Sequence, residues 1–130
     1  MKETLDDIFK TTGKGDIFWI TGNSGAGKTT LAKWMNKDRR DTVILDGDYV
    51  RQIWPGLGFS KEDREENNLR VARLALFMSL QGVTVIVSTI CPFAELRKRI
   101  KEMTGCRFIY LSGGKAPTKK YPYEQKSEDE

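Results

Sequence analysis

The 130-residue chain has no histidine and only two cysteines, Cys91 and Cys106. The first absence removes imidazole acid–base chemistry and histidine metal sites. The second leaves two thiols without C-x-x-C spacing, and the first fifteen residues mix Lys, Glu and Asp instead of forming an export signal. Both features read as a reduced, cytoplasmic protein. No apolar stretch approaches the roughly 20 residues that span a bilayer, so no membrane partner is expected. Charge of one sign is also scarce: Lys and Arg number 22 against 18 Asp and Glu, an excess of +4. That balance suits a protein that handles polyphosphates. Because the bases are interleaved with acids, it argues against a nucleic-acid binder. The Arg97-Lys98-Arg99 run reads as the solvated face of a helix.

What is present is an alternation of strand and helix signals in a chain of one-domain length. Strands are predicted near 17–21, 42–45, 83–87 and 107–111. Helices are predicted near 28–37, 61–81 and 93–104. This order implies an α/β fold, a three-layer α/β/α sandwich around a mainly parallel sheet of about four strands. Ser60 is a good N-cap for the long helix, with Asp63 completing an approximate capping box, and Gly82 a good stop. Leu69, Ala72, Leu76 and Leu80 then share its core side. From Ser112 onward, Gly113, Gly114, Pro117 and Pro122 precede an acidic run, which predicts irregular chain and a frayed, solvated tail. The expected organisation is therefore a folded domain over 1–111 and a short lid-like segment with an acidic tail over 112–130.

Gly22-Asn23-Ser24-Gly25-Ala26-Gly27-Lys28-Thr29 fits the phosphate-binding loop pattern G-x-x-x-x-G-K-[ST] between a strand-like and a helix-like run. The pattern predicts that residues 22–30, Thr30 included, bind ATP. Backbone amides would curl around phosphate oxygens, Lys28 would reach the β and γ phosphates, and the Thr29 hydroxyl would ligand Mg2+. The carboxylate that usually follows a strand such as 83–87 in these proteins is missing, since Ser88 and Thr89 stand there. Asp46 and Asp48, at the end of the second strand and a turn before Arg51, are the nearest acids for the metal or an attacking hydroxyl. Farther on, Arg64 and Asn67 are three apart on a helix and project together. Phe59, just before the cap, can stack on a flat ring.

Together these segments resemble the adenylylsulfate (APS) kinase family of P-loop kinases, over residues 15 to 111. Trp19-Ile20-Thr21-Gly22 leads the loop as in that family. Leu45-Asp46-Gly47-Asp48-Tyr49-Val50-Arg51 is similar to L-D-G-D-x-x-R. Gly58-Phe59-Ser60 with Asp63-Arg64-Glu65-Glu66-Asn67 and Arg70 is similar to G-F-S-x-x-D-R-x-x-N-x-x-R. Ser88-Thr89-Ile90-Cys91-Pro92-Phe93 resembles S-x-I-S-P-[YHF], with Cys91 in place of serine. The resemblance implies an ATP- and Mg2+-dependent kinase acting on the 3′-hydroxyl of adenosine 5′-phosphosulfate. Lys28, Asp46 and Asp48 would be catalytic, and Thr29 and Asp46 would sit at the metal. Asp48, Arg51, Phe59, Arg64, Asn67, Ile90 and Cys91 would hold the nucleotide acceptor. Such kinases are commonly dimeric, which allows a homodimer here.

The chain departs from the family after its fourth strand, where a basic lid, a fifth strand and a final helix normally follow. Lys115, Lys119 and Lys120 are candidates for a shortened lid, and Tyr121-Pro122-Tyr123-Glu124 resembles the family's D-P-Y-E segment. Two other readings stay open at this point. One is a sibling kinase with a changed acceptor, such as a cytidine diphosphate derivative or a hydroxylated nucleotide or base. The other is a nucleotide-binding protein without turnover.

Overall fold

β-branched and aromatic residues with every second side chain turned to the same face build a sheet covered on both sides. The computed structural model describes residues 14–130. In it, β1 (Ile17–Thr21), β2 (Thr42–Asp46), β3 (Thr84–Ser88) and β4 (Arg107–Tyr110) form one parallel sheet in the order β2-β3-β1-β4. Its register pairs Leu45 with Val87, Ile17 with Val85 and Trp19 with Phe108. Four helices pack around it: α1 (Lys28–Asn36), α2 (Gly47–Ile53), α3 (Lys61–Ser79) and α4 (Ala94–Thr104). Ile17, Trp19, Leu45, Val85 and Val87 point into the larger core beneath α3 and α4. Ile20 and Ile86 point the other way, against Ala32, Leu31 and Met35 of α1. The three-layer α/β expectation is thus met, and no helix among the described residues is long and apolar enough to cross a membrane.

The order of the strands decides where a ligand goes. The chain leaves β1 outward to β2, returns to β3 beside β1, and then crosses to β4 on the far side of β1. This reversal opens a crevice at the carboxyl ends of β1 and β3, the position where open parallel sheets bind ligands.

Three local expectations change. Residues 47–53 form helix α2, which the sequence pattern does not signal; Asp46 caps it by accepting from the Asp48 amide at 2.9 Å. Ser60 does cap α3 by accepting from the Asp63 amide at 3.1 Å, but the Asp63 carboxylate turns back to the Gly58 amide, at 2.8 Å, instead of closing a full capping box. The core side of α3 is rotated from the one expected. Leu69 and Ala72 are buried with Val71, Ala75 and Ser79, while Leu76 and Leu80 are only half-buried. Small side chains at 72, 75 and 79 let the helix lie close to the sheet, which the bulkier leucines would prevent.

The largest correction concerns the charged run and the tail. Arg97 is fully buried, Lys98 half-buried, and only Arg99 of the three is exposed. The Arg97 guanidinium donates to the carbonyls of Cys91 (3.0 Å), Glu124 (2.7 Å) and Gln125 (3.2 Å) and pairs with the Glu130 carboxylate at 2.9 Å. The rings of Tyr110 and Tyr123 lie against it. Lys98 reaches Asp129 at 2.8 Å, and Glu124 accepts from the Ala94 amide at 2.8 Å, capping α4 from outside the helix. The acidic end of the chain is therefore docked where a frayed tail was expected, because a buried guanidinium needs an acceptor for each of its donors.

Removing that guanidinium strands a buried carboxylate and three carbonyls. Arg97→Ala is expected to cost about 3–5 kcal/mol, read as a fall in the urea midpoint. Acid tests the same pair. Burial opposes ionisation of Glu130, but the hydrogen bonds from Arg97 and Tyr110 prevail and hold its carboxyl down at about 2, against an ordinary 4.5. A depressed carboxyl contributes stability above its unfolded value and loses it as pH falls. The stability difference between wild type and Glu130→Gln, from urea melts, should accordingly be full above about pH 5 and shrink between roughly pH 4.5 and 2.

Candidate active site

A cleft of about 420 Å³ opens at the carboxyl ends of the strands. One wall is the phosphate loop, which turns from β1 into α1 through Gly25 and Gly27 at φ of 82° and 97°, backbone states that favour glycine. Ser24, Gly25, Gly27, Lys28, Thr29 and Thr30 line this wall. Lys28 Nζ donates to the Asn23 carbonyl at 3.2 Å. Burial lowers the pKa of its ammonium, with Asp48 and Asp46 opposing the shift. Those two acids form the cleft's middle. Asp46 lies at the end of β2, its Oδ2 3.5 Å from the Thr29 hydroxyl, and Asp48 is exposed on the first turn of α2.

The opposite wall comes from α2 and from the start of α3. Phe59, 70% exposed, is flanked by two guanidiniums, Arg51 at 4.7 Å and Arg64 at 5.4 Å from the ring centre. Backbone carbonyls fix both arginines. Arg51 donates to Gly58 at 2.9 Å, and Arg64 donates to Phe59 at 2.8 Å and Lys120 at 3.1 Å. Among the described residues neither guanidinium stands in an ion pair. Burial and the positive charge of Arg64 both push the Arg51 pKa down, against Asp48 and Asp63. Two like charges around an exposed ring make a site whose electrostatics are completed by an anion carrying a flat group. Below them the buried Asn67 Oδ1 has no hydrogen-bond partner among the described residues, so a donor on a bound molecule could reach it.

The cleft thus brings together most of the residues singled out from the sequence, with Ile90 on its floor. Gly22, Asn23, Ala26 and Cys91 do not line it. Gly22 packs under Leu111, and the Asn23 amide faces the carbonyls of Lys115 and Tyr121. Cys91 takes a positive φ of 44°, which turns its thiol into the core while its carbonyl accepts from Arg97. Burial pushes that thiol far above its usual range, so it is inert. None of the three lid lysines lines the cleft. Lys115 and Lys120 instead place their ammoniums over the Tyr121 ring, at 4.6 and 5.5 Å. Arg70, part of the matched motif, lies over Trp54 at 4.3 Å and holds the end of α2. Sequence reasoning missed Asn68 and Thr89 as a pair. The Thr89 hydroxyl donates to Asn68 Oδ1 at 2.8 Å, and both line the cleft. The signal for Asn68 was its place beside Asn67 on a helix otherwise charged at that end.

Comparison with known proteins agrees with this geometry. The family model for adenylylsulphate kinase matches residues 14–113. A probable adenylyl-sulfate kinase of Synechocystis is 43% identical over 97 residues, covering 71% of this chain and 55% of that protein. The adenylyl-sulfate kinase of Deinococcus deserti is 45% identical over 96 residues, covering 70% and 53%. Among solved structures, the Mycobacterium tuberculosis APS kinase CysC in complex with AMPPNP and APS superposes with a TM-score of 0.61 at 31% identity, covering 76% of this chain and 62% of that one. The chain spans about half the length of the curated relatives it matches. On its phosphate loop, its strand order and a match that runs from β1 through β4, the chain belongs to the adenylylsulphate kinase family.

Proposed function

We propose that this chain is an ATP-dependent kinase that transfers the γ-phosphoryl group to the 3′-hydroxyl of adenosine 5′-phosphosulfate, giving 3′-phosphoadenylyl sulfate and ADP. One observation carries the reading: a single cleft joins the phosphate loop to the Arg51-Phe59-Arg64-Asn67 wall, with Asp46 and Asp48 between them. Phosphoryl transfer asks a protein mainly to bring two anions into line and neutralise their charge. Lys28 and the loop amides receive the donor phosphates. Arg51 and Arg64 pin the acceptor's own anion, which would otherwise repel the donor, and Phe59 stacks on its base. Asp48 lines the cleft without the capping contact that holds the Asp46 carboxylate, and would take the proton of the acceptor hydroxyl.

Mg2+ suits the residues present. Thr29 Oγ1 and Asp46 Oδ2 offer two oxygens side by side, and no cluster of three ligating acids or thiols occurs among the described residues. That set fits an ion that keeps most of its waters and shares the nucleotide's oxygens, so Thr29 and Asp46 would hold it. Once bound, it supplies positive charge to the transferring group.

The test is ADP release from MgATP by the purified chain, with and without APS and beside a panel of other nucleotide acceptors. Stimulation by APS is expected. Stimulation only by another acceptor, or ATP binding without turnover, overturns the reading. Lys28→Ala should abolish turnover while circular dichroism stays native, and retained activity would remove the loop from the mechanism. Arg64→Ala removes a charge-assisted contact worth about 1.5–3 kcal/mol, so it should raise the KM for the acceptor more than tenfold and leave ATP affinity much less changed. Equal loss of both would contradict the acceptor role.

A further inference from the structure

Asn23 occupies a variable position of the phosphate loop, yet the residue is only 6% exposed and does not line the cleft. Its amide Nδ2 donates to the carbonyls of Lys115 at 2.9 Å and Tyr121 at 3.0 Å, and its Oδ1 accepts from the Ser24 amide at 2.9 Å. The two carbonyls are the ends of one loop. Thr118 closes that loop from within, its amide donating to the same Tyr121 carbonyl at 3.0 Å and its hydroxyl accepting from the Tyr121 amide at 3.1 Å. A backbone contact reinforces the neck. The Lys115 amide donates to the Ser24 carbonyl at 2.8 Å, and Gly114 lies so close that a Cβ there would meet the carbonyl oxygens of Asn23 at 2.6 Å and Ser24 at 2.9 Å. Beyond the neck, the Lys120 carbonyl accepts from Arg64 Nη2 at 3.1 Å.

We propose that Asn23 is a positioning residue that sets Arg64 through the closed 115–121 loop, so that the donor-binding loop and the acceptor-binding arginine move as one unit. The inference rests on the acceptor role of Arg64 and assigns the means by which that role is kept in register with the donor. Arg64 Nε is already fixed by the neighbouring Phe59 carbonyl. The Lys120 carbonyl fixes Nη2, and two anchors orient a planar guanidinium where one leaves it free to turn. With the neck open, the 115–121 loop loses its hold on the phosphate loop, and Lys120 no longer has a fixed place. The vulnerable quantity is acceptor affinity.

The experiment is a pair of double-mutant cycles on APS affinity, measured by calorimetry in the presence of AMPPNP. Asn23→Ala and Gly114→Ala are each made alone and with Arg64→Ala. Either single variant should weaken APS binding about tenfold, and neither should weaken it further once Arg64 is alanine. Because a Cβ at Gly114 crowds the Asn23 and Ser24 carbonyls of the phosphate loop, AMPPNP is kept saturating for every variant, so that the cycles read APS affinity alone. Full additivity in both cycles overturns the proposal, because a merely structural role would weaken binding whatever stands at 64. If wild type does not bind APS, the functional reading fails, and hydrogen exchange decides this inference separately. Exchange at the Thr118 amide should rise at least tenfold in Asn23→Ala and also rise in Arg64→Ala. Unchanged exchange in either variant overturns it.

Discussion

A guanidinium sealed from water is tolerable only where every donor meets an acceptor, and Arg97 imposes that demand on the rest of this chain. Its acceptors come from two places distant in sequence. One is the Cys91 carbonyl, in the turn that follows β3. The others belong to residues 124–130. The turn also carries Ile90 and Pro92, which form the cleft floor, and Thr21 at the end of β1 donates to the Ile90 carbonyl and contacts the Tyr123 hydroxyl. The same charge that docks the end of the chain therefore holds the unusual backbone at Cys91. It also fixes one boundary of the site.

Charge in the cleft is arranged in a sequence of its own. Lys28 stands at one end, Arg51 and Arg64 at the other, and Asp46 and Asp48 lie between them. In the proposed reaction, two anions entering from opposite ends would each meet a cation first, and their reacting groups would meet beside the acids. The pKa values of Lys28 and Arg51 are both lowered, by causes that pull against each other. Burial disfavours each cation, while Asp48 favours both. A bound polyanion supplies what the protein leaves unbalanced.

The sheet, the phosphate loop and the acids at 46 and 48 were legible because each has a local signature: β-branched runs, fixed glycine spacing, and carboxylates at a strand end. Helix α2 was not, since it is seven residues long, opens with glycine and takes its cap from an acid that seemed free for chemistry. Arg97 hid in a run of three bases that reads as a wet surface. The helical positions of its neighbours tell otherwise, for Leu96, Ile100 and Thr104 are buried on the same side of α4. Asn23 was read only as one of the ATP-binding residues 22–30; its side-chain contacts were not legible, because the loop pattern leaves its position open and those partners are backbone carbonyls more than ninety residues away. Contacts between a side chain and a distant main chain leave no trace in composition or periodicity.

Among the described residues β4 is a four-residue strand at one edge of the sheet, with β1 as its single hydrogen-bonded neighbour. The cleft draws its lining from the ends of β2 and β3, from the phosphate loop that follows β1 and from the helices beside them, with no residue of β4. Extra chain added beyond this edge would extend the sheet sideways and leave the reacting centre in place. The sheet thus keeps the strand ends and loop that line the cleft apart from its β4 margin, while the chain beyond β4 returns to tie into the phosphate loop and Arg97.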